Sequence, residues 1–418
     1  MIKIDKMTLL DYEKIKDNLV EEFDEFWTPN ILKSELNKIS VSSVNTLLNK
    51  KINDIDIASS ARPEEVEAIF PITFDVGKEH GTIVVVVDKA PYEITTFRTE
   101  GDYTDYRRPD EVNFVRNLRE DTLRRDFTIN AMAFDRQGEL YDYHGGVKDL
   151  NDHLIRCVGN AQERFLEDAL RMMRAIRFAS QLGFEIEQES FNAIQALKAN
   201  LQHISIERIR IEFSKFLLGH SFTEKAQLLV NTGLAEYLPG FTQELAGTVM
   251  SELSKDFKDT PNALRDERLV WARMLKHMGI IQPETIRSFL KEWTHSNAFI
   301  KDVIQMIQLF DYFKEEHVTS WEVYNYDFSN IQRVEDFLFE TQRIDHKFVE
   351  DIYNALPIKS KKDIAVNGKD VMTILDLKKG GPEIGAWLDK IERLIIEMEL
   401  ENTYSMIEAY IKNSGSID

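Results

Sequence analysis

The sequence contains little cysteine, glycine or proline. Cys157 is its single cysteine, which excludes an intrachain disulfide framework and is typical of a reducing compartment. Only 18 glycines and 10 prolines occur among 418 residues, which favours helices over a turn-rich all-β architecture. With 43% hydrophobic residues, the chain is long enough for about two to four domains with a substantial core.

Long apolar runs are also missing. No stretch approaches the ~18 apolar residues that a membrane span needs. Residues 1–19, MIKIDKMTLLDYEKIKDNL, have charges throughout and lack the apolar segment of a signal peptide. We therefore expect a cytoplasmic protein without membrane contact.

Positive charge is in deficit. The 52 basic and 72 acidic residues give a net charge of −20, which argues against a protein that coats nucleic acid through bulk electrostatics. A local basic surface or a metal-bridged polyphosphate site stays compatible with this charge. Any RNA contact must therefore come from clustered arginines.

Strand patterns are confined to residues 52–158, where INDIDIA and PYEITTFR alternate apolar and polar residues and GTIVVVVD is β-branched. From about residue 160 onward the apolar residues recur at helical spacing. Loop-like stretches near 256–264 and 356–368 are the best later boundaries. The predicted fold is α+β, with a mixed α/β head followed by an all-helical remainder.

Asp54 and Asp56 are two residues apart on the predicted strand INDIDIA, so both carboxylates project from the same face. Two carboxylates aimed at one point repel each other unless a cation lies between them, and Mg²⁺ with a bound triphosphate is the usual occupant. Glu93, on a neighbouring strand, is a candidate third carboxylate. Considered alone, this D-x-D pattern is more often the exposed edge of an alternating strand.

The segment RRDFTINAMA contains Arg124, Arg125 and Asp126. Paired arginines at a helix start suit a polyphosphate, because guanidinium groups and helix N-termini both favour anions. A solvated charge run before an apolar helix is the alternative interpretation.

The segment EDALRMMRAIRFA carries Asp168, Arg171, Arg174 and Arg177. On one helix, steps of three residues drift by about −60° each, so the four side chains wind around the axis. Asp168 and Arg171 are neighbours there, and such a pair is most often only a salt bridge of a few tenths of a kcal/mol. In a base reader, the carboxylate would accept from an exocyclic amine and the guanidinium would donate to a ring acceptor.

The order and spacing of these motifs are more specific than any one of them. INDIDIASSA, YEITTFR, RRDFTINAMA, YDYHGG, NAQERFLEDALRMMRAIRFA and SIERIRIE together strongly resemble class II tRNA nucleotidyltransferases, which comprise CCA-adding enzymes and bacterial poly(A) polymerases. The resemblance runs from about Leu47 to Gly219. A looser one in AVNGKDVM and GGPEIGAWLDKIE is similar to the tail of the Firmicutes-type CCA enzymes.

This resemblance implies a role for each candidate residue. Asp54 and Asp56 are implied to be the catalytic ligands of Mg²⁺. Arg125 is implied to contact the incoming nucleotide, and Asp168 and Arg171 to read the Watson–Crick edge of CTP or ATP. The further nucleotide-site arginines implied by the resemblance are Arg174 and Arg177.

The resemblance also implies four parts: a nucleotidyltransferase head (1–153), a nucleotide-reading neck (154–220), a helical body (221–356) and an RNA-binding helical tail (357–418). The implied activity adds CCA to the tRNA 3′ end by in-line attack of a metal-polarised 3′-hydroxyl on CTP or ATP. The implied partners are the tRNA acceptor arm and the two nucleotides; the sequence leaves open whether the chain is a homodimer.

Residues 1–45 depart from the family pattern. Family members carry a Gly-Gly, an arginine and an aspartate before the aspartate-bearing strand, and the corresponding positions here are Ser40, Val41, Val44 and Asn45. Val41 disfavours the close backbone approach that glycine allows, and Val44 provides no guanidinium. The resemblance begins abruptly at Thr46 or Leu47, as a shifted reading frame or a spliced segment would produce.

Three alternatives to a complete CCA-adding enzyme therefore stay open. Two share its chemistry: a CC- or A-adding partial enzyme, and a bacterial poly(A) polymerase. The sequences of the INAMA and INDIDIASSA segments and the acidic C-terminal region argue against the polymerase. The third is an inactive homologue that only binds RNA, because the glycine-rich segment and its arginine are missing.

Overall fold

The computed structural model describes residues 56–87, 89–101, 112–135, 138–258, 260–316 and 318–414; the side chains of Asp56 and Glu100 are not described. The chain divides into two compact units, 1–251 and 252–418.

The first unit begins with a four-stranded sheet in the order β1-β4-β3-β2, in which β1 and β4 are parallel and the other pairs antiparallel. The side chains of Ile83 and Val85, at alternate positions of β3, are buried in the core, as expected for β-branched residues on a half-buried strand. The four strands are β1 (Asp56–Ser59), β2 (Thr73–Gly77), β3 (Thr82–Val87) and β4 (Ala90–Thr96). Three short pairs are β5 (Arg98–Glu100) with β6 (Val112–Phe114), β7 (Met132–Phe134) with β8 (Leu140–Asp142), and β9 (Leu154–Ile155) with β10 (Glu185–Ile186).

Helices connect and follow these strands. Pro63 is the first residue of α1, where its missing N–H costs no hydrogen bond, and the Asn160 side chain accepts from two backbone N–H groups at the start of α4. The helices up to residue 231 are α1 (Pro63–Ile69), α2 (Leu118–Leu123), α3 (Gly146–Asn151), α4 (Ala161–Glu167), α5 (Leu170–Leu182), α6 (Gln188–Leu197), α7 (Ile206–Leu217), α8 (Phe222–Lys225) and α9 (Leu228–Asn231).

The described part of the second unit is helical. The division between the units falls inside α10 (Gln243–Phe257). The remaining helices are α11 (Glu267–His277), α12 (Pro283–Glu292), α13 (Asn297–Lys314), α14 (Ser320–Asn325), α15 (Phe328–Glu340), α16 (Val349–Ala355), α17 (Gly368–Ile374), α18 (Pro382–Ile396) and α19 (Tyr404–Ser414). The predicted α+β organisation is confirmed.

Cys157 is buried in the first unit, with 2% of its surface exposed. Burial raises the pKa of its thiol to about 12, although a hydrogen bond with Ser190 opposes this. The thiol therefore stays protonated at neutral pH. No helix in the described ranges has the length and apolar character needed to cross a membrane.

Candidate functional site

The carboxylate edge of the head lies on neighbouring parallel strands. Asp56 opens β1, and its backbone is in register with Glu93 on β4, whose side chain is exposed. Register partners on parallel strands share a face of the sheet, so the two positions suit ligands of one cation. Asp54 lies outside the described residues. The Asp56 side chain is not described either. Among the side chains that are described, no cluster of three or more Asp, Glu, His or Cys could bind a metal.

Arg124 and Arg125 follow the end of α2, and the expectation that they open a helix is wrong. Arg124 is the C-terminal cap of α2. Both arginines pair with Asp121, which is 1% exposed, at 2.8 Å from Arg124 Nη2 and 3.3 Å from Arg125 Nη2. Burial acts to raise the pKa of Asp121, but the two guanidinium groups outweigh it and lower that pKa. Their position is therefore fixed by a buried carboxylate and not by a helix N-terminus.

Arg125 keeps part of its donor capacity. Its Nη1 donates to the carbonyl of Asn130 at 3.2 Å, and its buried Nε has no hydrogen-bond partner among the described residues. A buried donor without a partner is costly, so a ligand that accepts from it gains binding free energy.

Three arginines of α4 and α5 bind the turn that carries Arg124 and Arg125. Arg164 Nη1 donates to the Leu123 carbonyl at 2.8 Å, and Arg171 Nη2 donates to the Arg124 carbonyl at 2.8 Å. Arg174 pairs with the Asp126 carboxylate, with 2.8 Å from Nε and 2.6 Å from Nη2 to Oδ2.

Asp126 and Arg174 are 48 positions apart in sequence and form an ion pair between a buried carboxylate and a half-buried guanidinium. Burial acts to raise the pKa of Asp126, but the Arg174 charge and its hydrogen bonds outweigh this effect and lower the pKa. The turn and helix α5 are thus connected by charge-assisted hydrogen bonds.

Asp168 and Arg171 do not lie on one helix, contrary to expectation. The backbone of Asp168 is extended (φ −136°, ψ 104°) where α4 ends, and α5 begins at Leu170. Each charged side chain has an ion-pair partner elsewhere. Arg171 Nη1 is 2.6 Å from Glu167 Oε2, and Asp168 Oδ2 accepts from Arg208 Nη2 at 2.8 Å. The two residues flank a helix break, where the Arg171 backbone N–H donates to the Asp168 carbonyl at 3.0 Å.

Arg177 is buried, at 8% exposure, between Glu212 and an aromatic ring. Its Nε is 2.8 Å from Glu212 Oε2, and its guanidinium carbon lies 3.7 Å from the centroid of the Phe178 ring. Burial lowers the pKa of Arg177 to about 10, although the Glu212 charge opposes this. Glu212 also lies 3.6 Å from Arg174 Nη1 and so contacts two of the three predicted nucleotide-site arginines of α5.

Sequence reasoning missed the partners of these residues. Glu167, Arg208 and Glu212 hold Arg171, Asp168 and Arg177 respectively. A signal was present for α7, because Arg208 and Glu212 in SIERIRIE are four residues apart and share one helix face. Their partners lie too far away in sequence to be identified from spacing.

A mixed sheet with carboxylate positions on neighbouring strands, followed by arginine-rich helices, defines a nucleotidyltransferase-type head with a helical extension. Residues 44–156 match the family model described as "Poly A polymerase head domain", and residues 183–245 match "Probable RNA and SrmB- binding site of polymerase A". Residues 262–411 match "tRNA nucleotidyltransferase domain 2 putative".

Similar proteins specify the family further. The chain is 41% identical to a CCA-adding enzyme of Lactococcus lactis subsp. lactis, over 88% of this chain and 90% of that protein. A CCA-adding enzyme of Enterococcus faecalis is 40% identical, over 88% of this chain and 90% of that protein. The Bacillus stearothermophilus CCA-adding enzyme solved with CTP has a TM-score of 0.81 and 33% identity, covering 98% of both chains. The chain belongs to the CCA-adding enzyme family, which confirms the predicted family. Nucleotidyltransferases of this kind depend on a divalent metal.

Proposed function

We propose that this protein adds CCA to the 3′ end of tRNA by metal-dependent transfer from CTP and ATP, with the base chosen by protein side chains. The observation that carries the proposal is the helix break at 168–169, where the Arg171 backbone N–H donates to the Asp168 carbonyl and the Arg171 guanidinium donates to the turn that holds Arg125. Enzymes similar to this chain have been solved with CTP and with tRNA, which supports both substrates.

The metal site is proposed at Asp54 and Asp56, with Glu93 as the third carboxylate. The in-register pairing of Asp56 with Glu93 supports this set, and carboxylate oxygens are the protein ligands that Mg²⁺ prefers. When bound, Mg²⁺ would polarise the 3′-hydroxyl and offset charge on the leaving pyrophosphate. The carboxylates would hold and orient that ion; Arg125, Arg174 and Arg177 are proposed to balance triphosphate charge, directly or by orienting α5.

Base choice is proposed to depend on Asp168 and Arg171. Cytosine and adenine both present an exocyclic amine beside a ring acceptor, so a carboxylate acceptor next to a guanidinium donor matches both. Uracil and guanine present a carbonyl beside a ring N–H, which reverses the pattern. The same two side chains would therefore accept CTP and ATP and reject the other two nucleotides.

The four-part division into head (1–153), neck (154–220), body (221–356) and tail (357–418) is part of this proposal. The matches of the head and of residues 183–245 to polymerase models support an N-terminal catalytic part with RNA-binding helices after it. We further propose that the protein acts in the cytoplasm on the acceptor arm of tRNA.

Incubation with Mg²⁺, labelled CTP and ATP and three RNAs tests the proposal: a tRNA ending before CCA, one ending after CC, and an RNA with an unrelated 3′ end. Addition of C, C and A in order to the first, and of A to the second, is expected. A-tailing of the unrelated RNA would instead identify a poly(A) polymerase. Incorporation that stopped after CC, or that occurred only on the CC-ending tRNA, would identify a partial enzyme.

An inactive homologue that only binds RNA is a second candidate, favoured by one observation. The head-domain match begins at residue 44, and Val41 and Val44 stand where a glycine and an arginine are expected. Losing one electrostatic group at a reacting phosphate costs roughly 10²–10³ in rate. Binding of tRNA without incorporation would select this candidate, and a chimera with a relative's glycine-rich segment in place of residues 1–45 should then recover transfer.

A further inference from the structure

Helix α7, which contains the SIERIRIE motif, directs two charged side chains to the nucleotide-site residues of the neck. Arg208 and Glu212 are one helical turn apart; Arg208 pairs with Asp168, and Glu212 pairs with Arg177. The proposed reaction gives neither residue a direct role.

A base reader built from an aspartate and an arginine has an inherent problem. Opposite charges at neighbouring positions attract, and a mutual ion pair would occupy the carboxylate acceptor and the guanidinium donors that a base needs. The attraction is strong where the groups are withdrawn from water, as here, where the Asp168 side chain is 16% exposed and that of Arg171 is 10% exposed.

The structure gives each member of the pair another partner. Arg171 is bound by Glu167 and by the Arg124 carbonyl. Asp168 is held at both oxygens: Oδ2 accepts from Arg208 Nη2 at 2.8 Å, and Oδ1 accepts from the Leu170 backbone N–H at 3.0 Å. Each carboxylate oxygen has a second lone pair, so Asp168 can still accept from an amine while these bonds persist.

Arg208 binds the Asp168 carboxylate at one of its two oxygens. Its side chain is 28% exposed, and its buried Nη1 has no hydrogen-bond partner among the described residues. A cation that binds only one oxygen fixes the orientation of the carboxylate and leaves the other oxygen to the backbone.

We propose that Arg208 is a positioning residue that keeps Asp168 directed toward the base and prevents its collapse onto Arg171. This inference rests on the proposed function, because it assigns Arg208 to the base selection of the same site. Without Arg208, the Asp168 charge loses the cation that binds it, and an ion pair with Arg171, three residues away in sequence, would remove the acceptor–donor pattern for cytosine and adenine.

Nucleotide binding to the full-length protein with Mg²⁺ tests this inference without requiring turnover. Dissociation constants for CTP, ATP, UTP and GTP are measured by calorimetry for the unchanged protein and for Arg208→Ala, Arg208→Gln and Arg208→Lys. Lys215→Ala, an exposed change on the same helix, is the control. We expect Arg208→Ala and Arg208→Gln to weaken CTP and ATP binding by about tenfold or more and to leave UTP and GTP binding unchanged. Arg208→Lys should restore part of the preference.

The possible results separate the two proposals. If the unchanged protein prefers CTP and ATP and Arg208→Ala keeps the same preference, the role of Arg208 is overturned and the proposed function stands. If all three Arg208 variants weaken the four nucleotides equally and lower the melting temperature relative to Lys215→Ala, Arg208 is only a structural link and the inference also fails. If the unchanged protein binds the four nucleotides alike, the proposed base selection fails and this inference fails with it.

Discussion

Asp168 in the first unit and Asp256 in the second are both withdrawn from water and paired with arginine, yet their surroundings differ. Asp256 is 4% exposed and is contacted by Arg273 Nε at 2.7 Å, His277 Nε2 at 2.7 Å and Arg343 Nη2 at 2.6 Å. Asp168 has one arginine and one backbone N–H.

Both arginine partners of Asp256 lie beside aromatic rings. Arg273 lies 4.9 Å from the centroid of the Phe310 ring, and the half-buried Arg343 lies 5.3 Å from that of Phe337, so each guanidinium group has an aromatic face next to it. This carboxylate connects helices α10 and α11 to the segment after α15. The protein's own cations compensate the Asp256 charge, so this carboxylate stabilises the fold. Asp168 has fewer partners, and a ligand can use its remaining acceptor positions.

The largest expected effect is a loss of nucleotide incorporation without a loss of stability. Replacing Asp54 or Asp56 by alanine should slow nucleotide incorporation by at least about 10³, because the metal-binding charge is lost. The melting temperature should stay within about 2 °C of that of the unchanged protein, because removing one of two carboxylates that repel each other costs the fold little. Single-turnover incorporation and thermal unfolding on the same samples provide the measurement; full incorporation by Asp54→Ala would refute the metal assignment.

In the second unit, the expected effect of removing a carboxylate is on stability. Asp256→Ala leaves the largely buried Arg273 and the half-buried Arg343 without their carboxylate, so the free energy of unfolding should fall by about 3–5 kcal/mol. Urea unfolding followed by circular dichroism measures it. The matched control is Asp389→Ala, which removes an exposed ion pair with Lys361 and should cost less than about 1 kcal/mol. Equal losses in the two variants would show that the Asp256 cluster is not a scaffold element.

Acid should affect the Asp256 cluster in a defined range. Burial acts to raise the pKa of Asp256, but hydrogen bonds from His277 and Arg273 outweigh this and hold the pKa well below its ordinary 3.8. A pKa that is lower in the folded than in the unfolded state gives stability that is present above the unfolded value and lost as pH falls below it. The urea midpoint should therefore decline below about pH 4. The decline should be shallower for Asp256→Asn; identical curves would contradict this pKa assignment.

The smallest expected effect is the loss of stability when a helix N-cap is removed, and one cap in each unit allows a comparison. Asn160 caps α4 in the first unit, and Ser296 caps α13 in the second. Each alanine substitution should cost about 1 kcal/mol, because one side-chain acceptor for the first backbone N–H groups is lost. Unfolding free energies of the two variants are the measurement, and nucleotide binding should be unchanged in Ser296→Ala. If Asn160→Ala alone altered the CTP preference, the start of α4 would also belong to base selection.

Local chemistry made much of the fold predictable. Pro63 and Asn160 begin helices as their sequence context indicates, because a missing N–H and a short polar acceptor act within one turn. Helix interruptions were less evident. The helical spacing from about residue 160 onward does not reveal the breaks at Thr294, between α12 and α13, and at Met398, between α18 and α19, where the backbone has a positive φ of 59°.

The pairing of the predicted site residues could not be read from the sequence. The helical periodicity of EDALRMMRAIR conceals the extended Asp168, because a single non-helical residue hardly disturbs the apolar pattern. The bonds from Arg174 to Asp126 and from Arg208 to Asp168 span 48 and 40 positions. Spacing rules describe neighbours along one element, so contacts made by tertiary packing are outside their reach.

The buried thiol of Cys157 has a practical consequence for spectroscopy. A protonated, enclosed thiol hardly reacts with maleimides at neutral pH, so the native chain is already nearly silent to cysteine labelling. One cysteine introduced at Lys215 and another at Lys412, both exposed, would carry a donor and an acceptor dye without removal of the natural residue. Energy transfer between them would then follow the distance between the two units as nucleotides and tRNA are added.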